Sequence, residues 1–566
     1  MNYLVIGLFL YLLWLLLVIF FDKRGTLSKH NITVVWILIM PILMIRTTKG
    51  QIFLDRLSVH KKFWRVFASI GLPAMLAGML AMFILILLLD YFMIMSFQTN
   101  TVPPVSKFNE PRNIFLIPGI NEYIPLWYGI IALIITLIVH EFSHAILCKV
   151  ESIKVKSMGV LLAIVPIGGF AEPDEEQLLG KTEEIKDAET TAESKKFATR
   201  SERVRVLTAG VMANFVTALI AFILFFSLLG SISPVGDVMV TKVIPGYPAD
   251  LAGVKPNMIL TGIDDVQITG AHDFLSYANT LKPGEIVTLN LVDNGVRKKM
   301  DLVAVAGNQT QAGVKISNVI EGSPAEAAGI RSDMVLVKIG STEIKDLNDF
   351  VSFMNSTSPG QKVNIYLMSN DSVNASLLTF SNVELIERPE ENLKMGYLGV
   401  HYTSLDSGTI FSLGITIGQF PARNYLTFIT SIPSSLTSLN GWIQLLGLPF
   451  FMFELVGFPG FSGVITSFYE PTGWAVALGS GMFVILNILL WIGWMNFYVG
   501  LFNCLPAVPL DGGHVFRDVM ASTLSRIMGN GEKVERLSNA VAFMFAVLIL
   551  MSFVFVIFAP YAAQGF

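Results

Sequence analysis

Residues 140–144 read HEFSH, and the sixteen residues before them, 124–139, carry no charge. Side chains four residues apart lie on one face of an α-helix, about 6 Å apart along its axis, so His140 and His144 are placed to share one zinc ion. Glu141 is placed to accept a proton from a water that zinc makes more acidic, which delivers hydroxide to a carbonyl. Ionisable side chains inside an apolar run mark a functional site by default, and a polar cluster at the membrane interface is the alternative.

A third ligand must come from elsewhere in the chain, because catalytic zinc usually has three protein ligands and one open position. The apolar run 474–502 leads into NCLPAVPLDGGHVFRD, residues 503–518, in which Asp511 is the candidate. The prolines and glycines of this segment predict a broken backbone, which is tolerated at membrane depth where it is buried or lines a watery cavity. His514 is interpreted as an interfacial histidine without chemistry, with a supporting contact to the site as the alternative.

The composition indicates that membrane helices position these residues. Of 566 residues, 53% are apolar and 14% are charged, which is typical of polytopic membrane proteins rather than soluble enzymes. The net charge of -4 gives no indication of a nucleic-acid partner. Cys148 and Cys504 lie in apolar segments and are interpreted as buried thiols.

Six runs approach the length of about 20 apolar residues that a helix needs to cross a bilayer. The predicted spans are 1–21, 66–89, 124–148, 206–230, 474–502 and 541–559. The first lacks a basic region and a small-residue cleavage site, so it is predicted to be a retained span. A shorter apolar run, 32–45, is interpreted as re-entrant or interfacial.

The distribution of Lys and Arg, which accumulate in cytoplasmic loops, predicts the orientation. Segments 22–65 and 149–205 hold nine and ten basic residues, whereas 98–123 holds two. The chain is therefore predicted to be a multi-pass protein of the cell membrane with its N-terminus outside. HEFSH then lies near the cytoplasmic face, and the long insert 237–407 is extracytoplasmic.

The insert contains a repeated unit. Segments 243–268 and 319–344 align with each other along their whole length and share the pattern G-x-P-A-x-x-A-G-(I/V)-x-x-x-M. This pattern resembles the PDZ domains fused to bacterial-type proteases. The resemblance implies that each copy binds an extended peptide or a protein terminus at a sheet edge. A pair of spacers that limits access to the site is the alternative.

The paired motifs carry a wider resemblance. HEFSH on one span and N-x-x-P-x-x-x-x-D-G on a later one resemble the site-2 protease family of intramembrane zinc metalloproteases, in its PDZ-containing prokaryotic branch. IGGFAEPDEE, residues 167–176, resembles the membrane-associated loop that follows the first motif in that family. The resemblance covers about 124–230, 237–407 and 474–520.

Carried over residue by residue, the resemblance implies zinc ligation by His140, His144 and Asp511, with Glu141 as general base. It implies that Asn503 orients the substrate backbone or stabilises the developing oxyanion.

One departure from the family pattern concerns the span after HEFSH. The usual Gly-Pro before an Asn is replaced by AGVMANF at 209–215, with Val211 in place of proline. Asn214 is therefore interpreted as a helix-packing or polar-contact residue. The apolar, Gly-rich segment 159–170 predicts either a strand edge that pairs with an unwound substrate or a re-entrant hairpin that packs against helices.

The predicted fold is a polytopic α-helical membrane protein of about six transmembrane helices with two inserted PDZ-like α+β domains. The predicted parts are N-terminal helices and loops 1–123, first half of the protease core 124–236, first PDZ-like domain 237–308, second PDZ-like domain 309–407, linker 408–472 and second half of the core 473–566. The linker is predicted to form interfacial helices or an extra pair of crossings.

The predicted function is that of a zinc metalloendopeptidase, which cuts a transmembrane segment of another membrane protein within the lipid bilayer, as in regulated intramembrane proteolysis. The PDZ-like domains are predicted to screen substrates. One alternative is a membrane-embedded zinc protease acting on soluble or misfolded peptides, which digestion of purely soluble substrates would reveal. The other is a non-catalytic PDZ receptor with a decayed metal site, which would lack bound zinc.

The orientation can be tested by cysteine labelling. We expect Asn308→Cys to react with a membrane-impermeant thiol reagent in intact cells, because the insert is predicted to lie outside. Lys186→Cys, in the predicted cytoplasmic segment, is the control and should react only after lysis. Labelling of Asn308→Cys only after lysis would overturn the predicted orientation.

Overall fold

The structure is a computed structural model in which the chain divides into two compact units. The first, the membrane unit, comprises Met1–Ser227, Leu446–Gly460 and Ile485–Phe566, and the second, the sheet unit, comprises Leu228–Leu445 and Phe461–Val484. The described residues are 3–37, 40–47, 50–99, 101–103, 105, 109–114, 116–162, 166–179, 197–305, 314–320, 322–332, 334–344, 347–368, 377–387, 395–402, 408–410, 412–451, 458, 460–529 and 531–564. The labelling positions Asn308 and Lys186 lie outside them.

The longest helices coincide with the apolar runs of the sequence. In chain order the described helices are α1 Tyr3–Lys23, α2 Thr26–Lys29, α3 Gly50–Ser58, α4 Lys61–Thr99, α5 Pro111–Ile114, α6 Leu126–Val150, α7 Glu175–Leu179, α8 Arg200–Leu229, α9 Pro248–Leu251, α10 Ala271–Ala278, α11 Pro324–Ala327, α12 Leu347–Asn355, α13 Ala422–Ser435, α14 Leu439–Phe451, α15 Gly481–Asn503, α16 Asp511–Met528 and α17 Glu532–Gln564.

The strands are short and belong to both units. In chain order the described strands are β1 Ile32–Ile37, β2 Met40–Thr47, β3 Val155–Leu162, β4 Pro166–Pro173, β5 Ile232–Pro234, β6 Val238–Val243, β7 Ile259–Ile263, β8 Val266–Gln267, β9 Ile286–Asp293, β10 Val296–Val303, β11 Val314–Val319, β12 Val335–Ile339, β13 Thr342–Glu343, β14 Lys362–Met368, β15 Leu377–Glu384, β16 Ile386–Glu387, β17 Gly396–Tyr397, β18 Val400–Tyr402, β19 Gly408–Ile410, β20 Ile415–Gln419 and β21 Tyr469–Pro471.

Within the described residues, five helices are long and apolar enough to cross a membrane, namely α4, α6, α8, α15 and α17. The shortest, α15, has 23 residues and rises about 35 Å, against a hydrocarbon core of about 30 Å. Five of the six predicted spans fall on these helices. The remaining predicted span, 1–21, falls on α1, which is not among these five helices. The count of six spans therefore stays a prediction. Cys148 and Cys504 are buried free thiols, as the sequence predicts.

Four strands of the membrane unit form an antiparallel sheet in the order β1-β2-β3-β4. The first two form a hairpin in which Trp36 lies opposite Pro41, and β2 pairs with β3. Segment 32–45 is thus largely extended, since its β-branched and aromatic residues favour strands and its length is too short for a spanning helix. Segment 159–170 falls on β3 and β4, and β4 is an edge strand of this sheet as described.

In the sheet unit, the repeated sequence forms two sheets with corresponding strand orders. The first has the order β10-β9-β7-β6-β20-β19, with β8 paired to β7, and the second has the order β15-β14-β12-β11-β18, with β13 paired to β12. Each sheet covers its own apolar core, around Phe274 and Leu289 in the first and around Phe350 and Ile365 in the second. The strand β20 pairs with β6 as β18 pairs with the equivalent β11.

The second of these domains is inserted into the first. Strands β19 and β20 follow the second domain in the chain, yet Ile415 and Ile417 are fully buried in the core of the first. The predicted division into consecutive domains 237–308 and 309–407 is therefore wrong in this respect, and the predicted linker 408–472 begins inside the first domain. The two aligned segments of the repeat end at residues 268 and 344, so the alignment gave no indication that β19 and β20 return to the first domain.

Among the described residues, the rest of the linker contains two α-helices, α13 and α14, of 14 and 13 residues. Each rises about 20 Å, which is less than the roughly 30 Å of a hydrocarbon core. This length favours short helices over the extra pair of crossings that the sequence left open.

Two buried carboxylates, each bound by arginine, join helices of the membrane unit. The fully buried carboxylate of Glu151, just after α6, accepts hydrogen bonds from Arg65 Nη2 of α4 at 2.9 Å and from Arg205 Nε of α8 at 2.7 Å. Burial opposes its charged form, but these hydrogen bonds outweigh burial and hold the pKa of Glu151 below its usual range. Asp518 of α16 is 3% exposed and accepts from Arg203 Nη2 of α8 at 3.0 Å.

The pairing of Asp518 with Arg203 can be tested by removing one partner. Asp518→Ala leaves the Arg203 guanidinium buried without its carboxylate, and we expect the free energy of unfolding to fall by about 3–5 kcal/mol. The double variant Arg203→Met, Asp518→Leu leaves no buried charge and should recover most of this loss. Thermal unfolding in detergent measures both. A single variant as stable as the parent protein would contradict the prediction.

Candidate metal centre

Two histidines meet in the C-terminal half of helix α6, after a long apolar run. The Nε2 atoms of His140 and His144 are 3.1 Å apart, and their rings pack edge to face with centroids 4.6 Å apart. His140 is 6% exposed, and His144 is half-buried. The i, i+4 spacing therefore brings both imidazoles to one point inside the membrane unit.

The third side chain comes from α16, whose first residue is Asp511. Its Oδ2 lies 3.1 Å from His140 Nε2 and 3.2 Å from His144 Nε2. The preceding loop folds so closely against α16 that a Cβ on Gly512 would lie 2.4 Å from the carbonyl oxygen of Cys504. Only glycine fits there, so the D-G-G sequence allows the helix to begin with its carboxylate beside the histidines.

Two of the three converging atoms, His144 Nε2 and Asp511 Oδ2, face each other as hydrogen-bond acceptors. His144 Nδ1 lies 2.8 Å from the carbonyl oxygen of Val206, which only accepts, so Nδ1 carries the hydrogen and Nε2 presents a lone pair. Asp511 Oδ2 is buried and lies close to both imidazole rings, but it receives a hydrogen bond from neither. A buried acceptor without a donor is destabilising, and a bound cation removes that penalty.

The spacing of these atoms fits zinc. Bonds of about 2.0–2.1 Å at tetrahedral angles place ligand atoms about 3.3 Å apart. The observed separations are 3.1 and 3.2 Å. Within the described part of the chain, this is the one cluster of three His, Cys, Asp or Glu side chains able to hold a metal ion.

Helix α8 packs directly against the rings through Gly210. A Cβ at this position would lie 2.5 Å from His144 Nε2 and 2.8 Å from His140 Cε1, closer than any real contact. The absence of a side chain on α8 therefore makes room for the two imidazoles.

Glu141 is bonded to β4 and is not one of the three converging side chains. Its Oε2 accepts a hydrogen bond from the backbone N–H of Ala171 at 3.1 Å. Ala171 lies opposite Met158 of β3, and its N–H donates to a side chain of α6. The carboxylate therefore joins the histidine helix to β4, the last strand of the described sheet.

Two other residues that the sequence singled out lie outside the cluster. Asn503 is the last residue of α15 and is half-buried, and it is not among the three converging side chains. His514 follows Asp511 on α16 and lines an apolar cavity of about 880 Å³ with residues of α17. Burial, with Arg517 nearby, lowers the pKa of His514 below its usual value, so the ring is neutral at pH 7.

Asn214 has a contact that the sequence did not locate. The residue is fully buried on α8, and its Nδ2 lies 3.1 Å from His140 Nδ1. Of the two interpretations of Asn214, packing or polar contact, the structure therefore shows the second. The available signal was the spacing of Val206, Gly210 and Asn214, each four residues from the next, which places all three on one face of the helix.

Comparison with known proteins identifies the family. The sequence model described as "Peptidase family M50" matches residues 128–549. The chain belongs to this family, the site-2 proteases. The match includes HEFSH, the soluble insert and the segment around Asp511, and it confirms the resemblance seen in the motifs. The match establishes the family, and five helices able to span a membrane accompany it in the described part of the chain.

Individual relatives cover different shares of the chain. An uncharacterized protein from Methanocaldococcus jannaschii is 26% identical over 277 residues, 48% of this chain and 65% of that protein. Zinc metalloprotease RasP from Oceanobacillus iheyensis is 24% identical over 36% of this chain and 42% of its own length. The chain thus spans less than two thirds of these two relatives. Protease RseP from Yersinia pestis is 22% identical over 74% of this chain and 95% of its own length.

The packing of α8 on the histidines gives a direct test of this M50 site. We expect Gly210→Ala to displace both rings and to reduce peptide hydrolysis by about 10²-fold, the effect of misplacing reacting groups by about 1 Å. Leu219→Ala, at a 59% exposed position of the same helix, is the control and should leave activity unchanged. Parental hydrolysis by Gly210→Ala would show that the rings are not held as described.

Proposed function

We propose that the chain is an intramembrane zinc endopeptidase that cleaves transmembrane segments of membrane proteins, as in regulated intramembrane proteolysis. The observation that carries the proposal is the convergence of His140, His144 and Asp511, with Glu141 adjacent, in a unit whose helices are apolar enough to span a bilayer. Ionisable side chains at membrane depth mark functional sites, and four of them lie together here.

In this proposal His140, His144 and Asp511 hold one zinc ion, which leaves one position open for the reactants. When bound, zinc supplies a Lewis acid that polarises a carbonyl and makes a water molecule more acidic. The Asp511 carboxylate offsets part of the positive charge. Helix α8 keeps the rings in place and excludes bulk water from their outer side.

Glu141 acts as the general base. Its carboxylate takes a proton from the attacking water and then delivers it to the leaving amine. The hydrogen bond from Ala171 N–H orients the carboxylate toward β4, and it leaves the second oxygen available for proton transfer. Asn503 is proposed to hold the substrate backbone or the developing oxyanion from the end of α15.

The substrate is proposed to bind as an extended strand along β4. A helical transmembrane segment hides its amides in internal hydrogen bonds, so it must unwind before hydrolysis. An added strand on the outer side of β4 recovers those hydrogen bonds and passes next to Glu141. The hydrogen bond from Ala171 N–H of β4 to Glu141 supports this placement.

The sheet unit is proposed to contain two PDZ-like domains that screen substrates. Peptide or terminus binding is proposed for the outer edge of β18, because β19 of the chain itself already pairs with the equivalent edge of β20. Screening by limited access alone is the alternative. The distribution of Lys and Arg supports a multi-pass cell-membrane protein with these domains outside and the active site near the cytoplasmic face.

The substitution Glu141→Gln tests the proposed reaction. Glutamine is nearly isosteric and still accepts the Ala171 hydrogen bond, but it does not take up a proton. We expect hydrolysis of a detergent-solubilised membrane substrate to fall by about 10²–10⁴-fold while zinc content stays at one per chain.

The matched comparison is His140→Ala, which removes a proposed ligand and should lose zinc as well as activity. Zinc stoichiometry and cleavage are measured on the same preparations. Normal cleavage by Glu141→Gln would refute the mechanism. Loss of zinc from that variant would mean that Glu141 is a ligand.

A further inference from the structure

Helix α8 contacts both histidines through three residues on one face. The carbonyl oxygen of Val206 lies 2.8 Å from His144 Nδ1, and Asn214 Nδ2 lies 3.1 Å from His140 Nδ1. Gly210, one turn from each, allows the close approach. The Nδ1 atoms of both rings therefore point to α8, and their Nε2 atoms point to Asp511.

The contact of Asn214 is informative because of its amide. In the orientation with Asn214 Nδ2 toward His140, that nitrogen donates a hydrogen bond to His140 Nδ1. The ring hydrogen of His140 must then be on Nε2, which faces His144 Nε2 and Asp511 Oδ2. The same orientation leaves Asn214 Oδ1 buried without a hydrogen-bond partner. Amide oxygen and nitrogen are assigned from their hydrogen-bond network. Exchanging the two atoms turns Oδ1 toward Nδ1, which gives the oxygen a donor and leaves Nε2 without a hydrogen.

We propose that Asn214 is a positioning residue whose Oδ1 accepts the Nδ1 hydrogen of His140, so that His140 Nε2 presents its lone pair to the metal. This inference rests on the proposed zinc site. It gives the two histidines equivalent support from one helix, since Val206 O does the same for His144. Partners of this kind fix the tautomer and ring orientation of ligand histidines.

The support of the two rings differs in one respect that makes the role testable. A backbone carbonyl holds His144 and no substitution removes it, whereas a side chain holds His140. An amide with only a packing role would tolerate an apolar side chain of similar size and would not tolerate a buried carboxylate. If Asn214 instead accepts a hydrogen bond from Nδ1, a carboxylate at this position should be tolerated and an apolar side chain should not.

The experiment compares Asn214→Leu with Asn214→Asp. Zinc dissociation constants are measured on detergent-purified full-length protein by competition with a chelator, and folding is followed by thermal unfolding of the zinc-free protein. We expect Asn214→Leu to remain folded and to bind zinc about 10–100-fold more weakly. Asn214→Asp should bind zinc at least as tightly as the parent, because its carboxylate accepts the same hydrogen.

A matched control is Asn496→Leu. Asn496 is also fully buried in a membrane helix with an unsatisfied Oδ1, but its Nδ2 donates to the backbone oxygen of Ile492. Its replacement should leave zinc affinity unchanged. Parental zinc affinity in Asn214→Leu, or a loss in Asn496→Leu equal to that in Asn214→Leu, would overturn the role of Asn214. If the parent protein bound no zinc, the proposed function itself would fail instead.

Discussion

The convergence of two imidazole rings and one carboxylate at a single point is the constraint on which the membrane unit depends. His140 Nε2, His144 Nε2 and Asp511 Oδ2 are held 3.1–3.2 Å apart by two helices that are far apart in the sequence. Bringing these polar atoms together removes them from water, so the surrounding structure must hold them in place. The helices that meet at this point are therefore fixed by strong contacts outside it.

Helix α8 has the largest part in this arrangement. Its glycine at 210 allows contact with both rings, and its arginines at 203 and 205 bind the buried carboxylates of Asp518 and Glu151. One helix thus contacts the histidine side of the site and is linked by charge to α16, which carries the aspartate. Small residues at close helix contacts and paired polar groups are the general means by which membrane helices associate.

The strand edges of the two units have different surroundings. In the membrane unit, β4 is an edge strand of its described sheet, and Glu141 accepts a hydrogen bond from its Ala171 N–H. In the sheet unit, the chain itself adds β19 to the first domain, while the second domain has β18 at the equivalent edge of its described strands. An unpaired edge accepts another strand through backbone hydrogen bonds, whatever the side-chain sequence.

The sequence by itself determined the periodic and local features. Apolar runs predicted six spans, five of which fall on described helices long and apolar enough to cross a membrane. The i, i+4 spacing of His140 and His144 placed both rings on one face, because helix geometry is nearly invariant. The repeat at 243 and 319 predicted two similar domains. Motifs that combine histidines with a distant Asp-Gly predicted the family, which the match over 128–549 confirmed.

Only the tertiary structure decided which distant residues meet. The return of β19 and β20 to the first domain depends on burial of Ile415 and Ile417 against strands that lie much earlier in the chain, and no local pattern encodes such a partner. The contact of Asn214 with His140 depends likewise on the close packing of α8 against α6 at Gly210. Local sequence sets the period of an element, whereas the choice of its partner arises from packing and charge pairing over the whole chain.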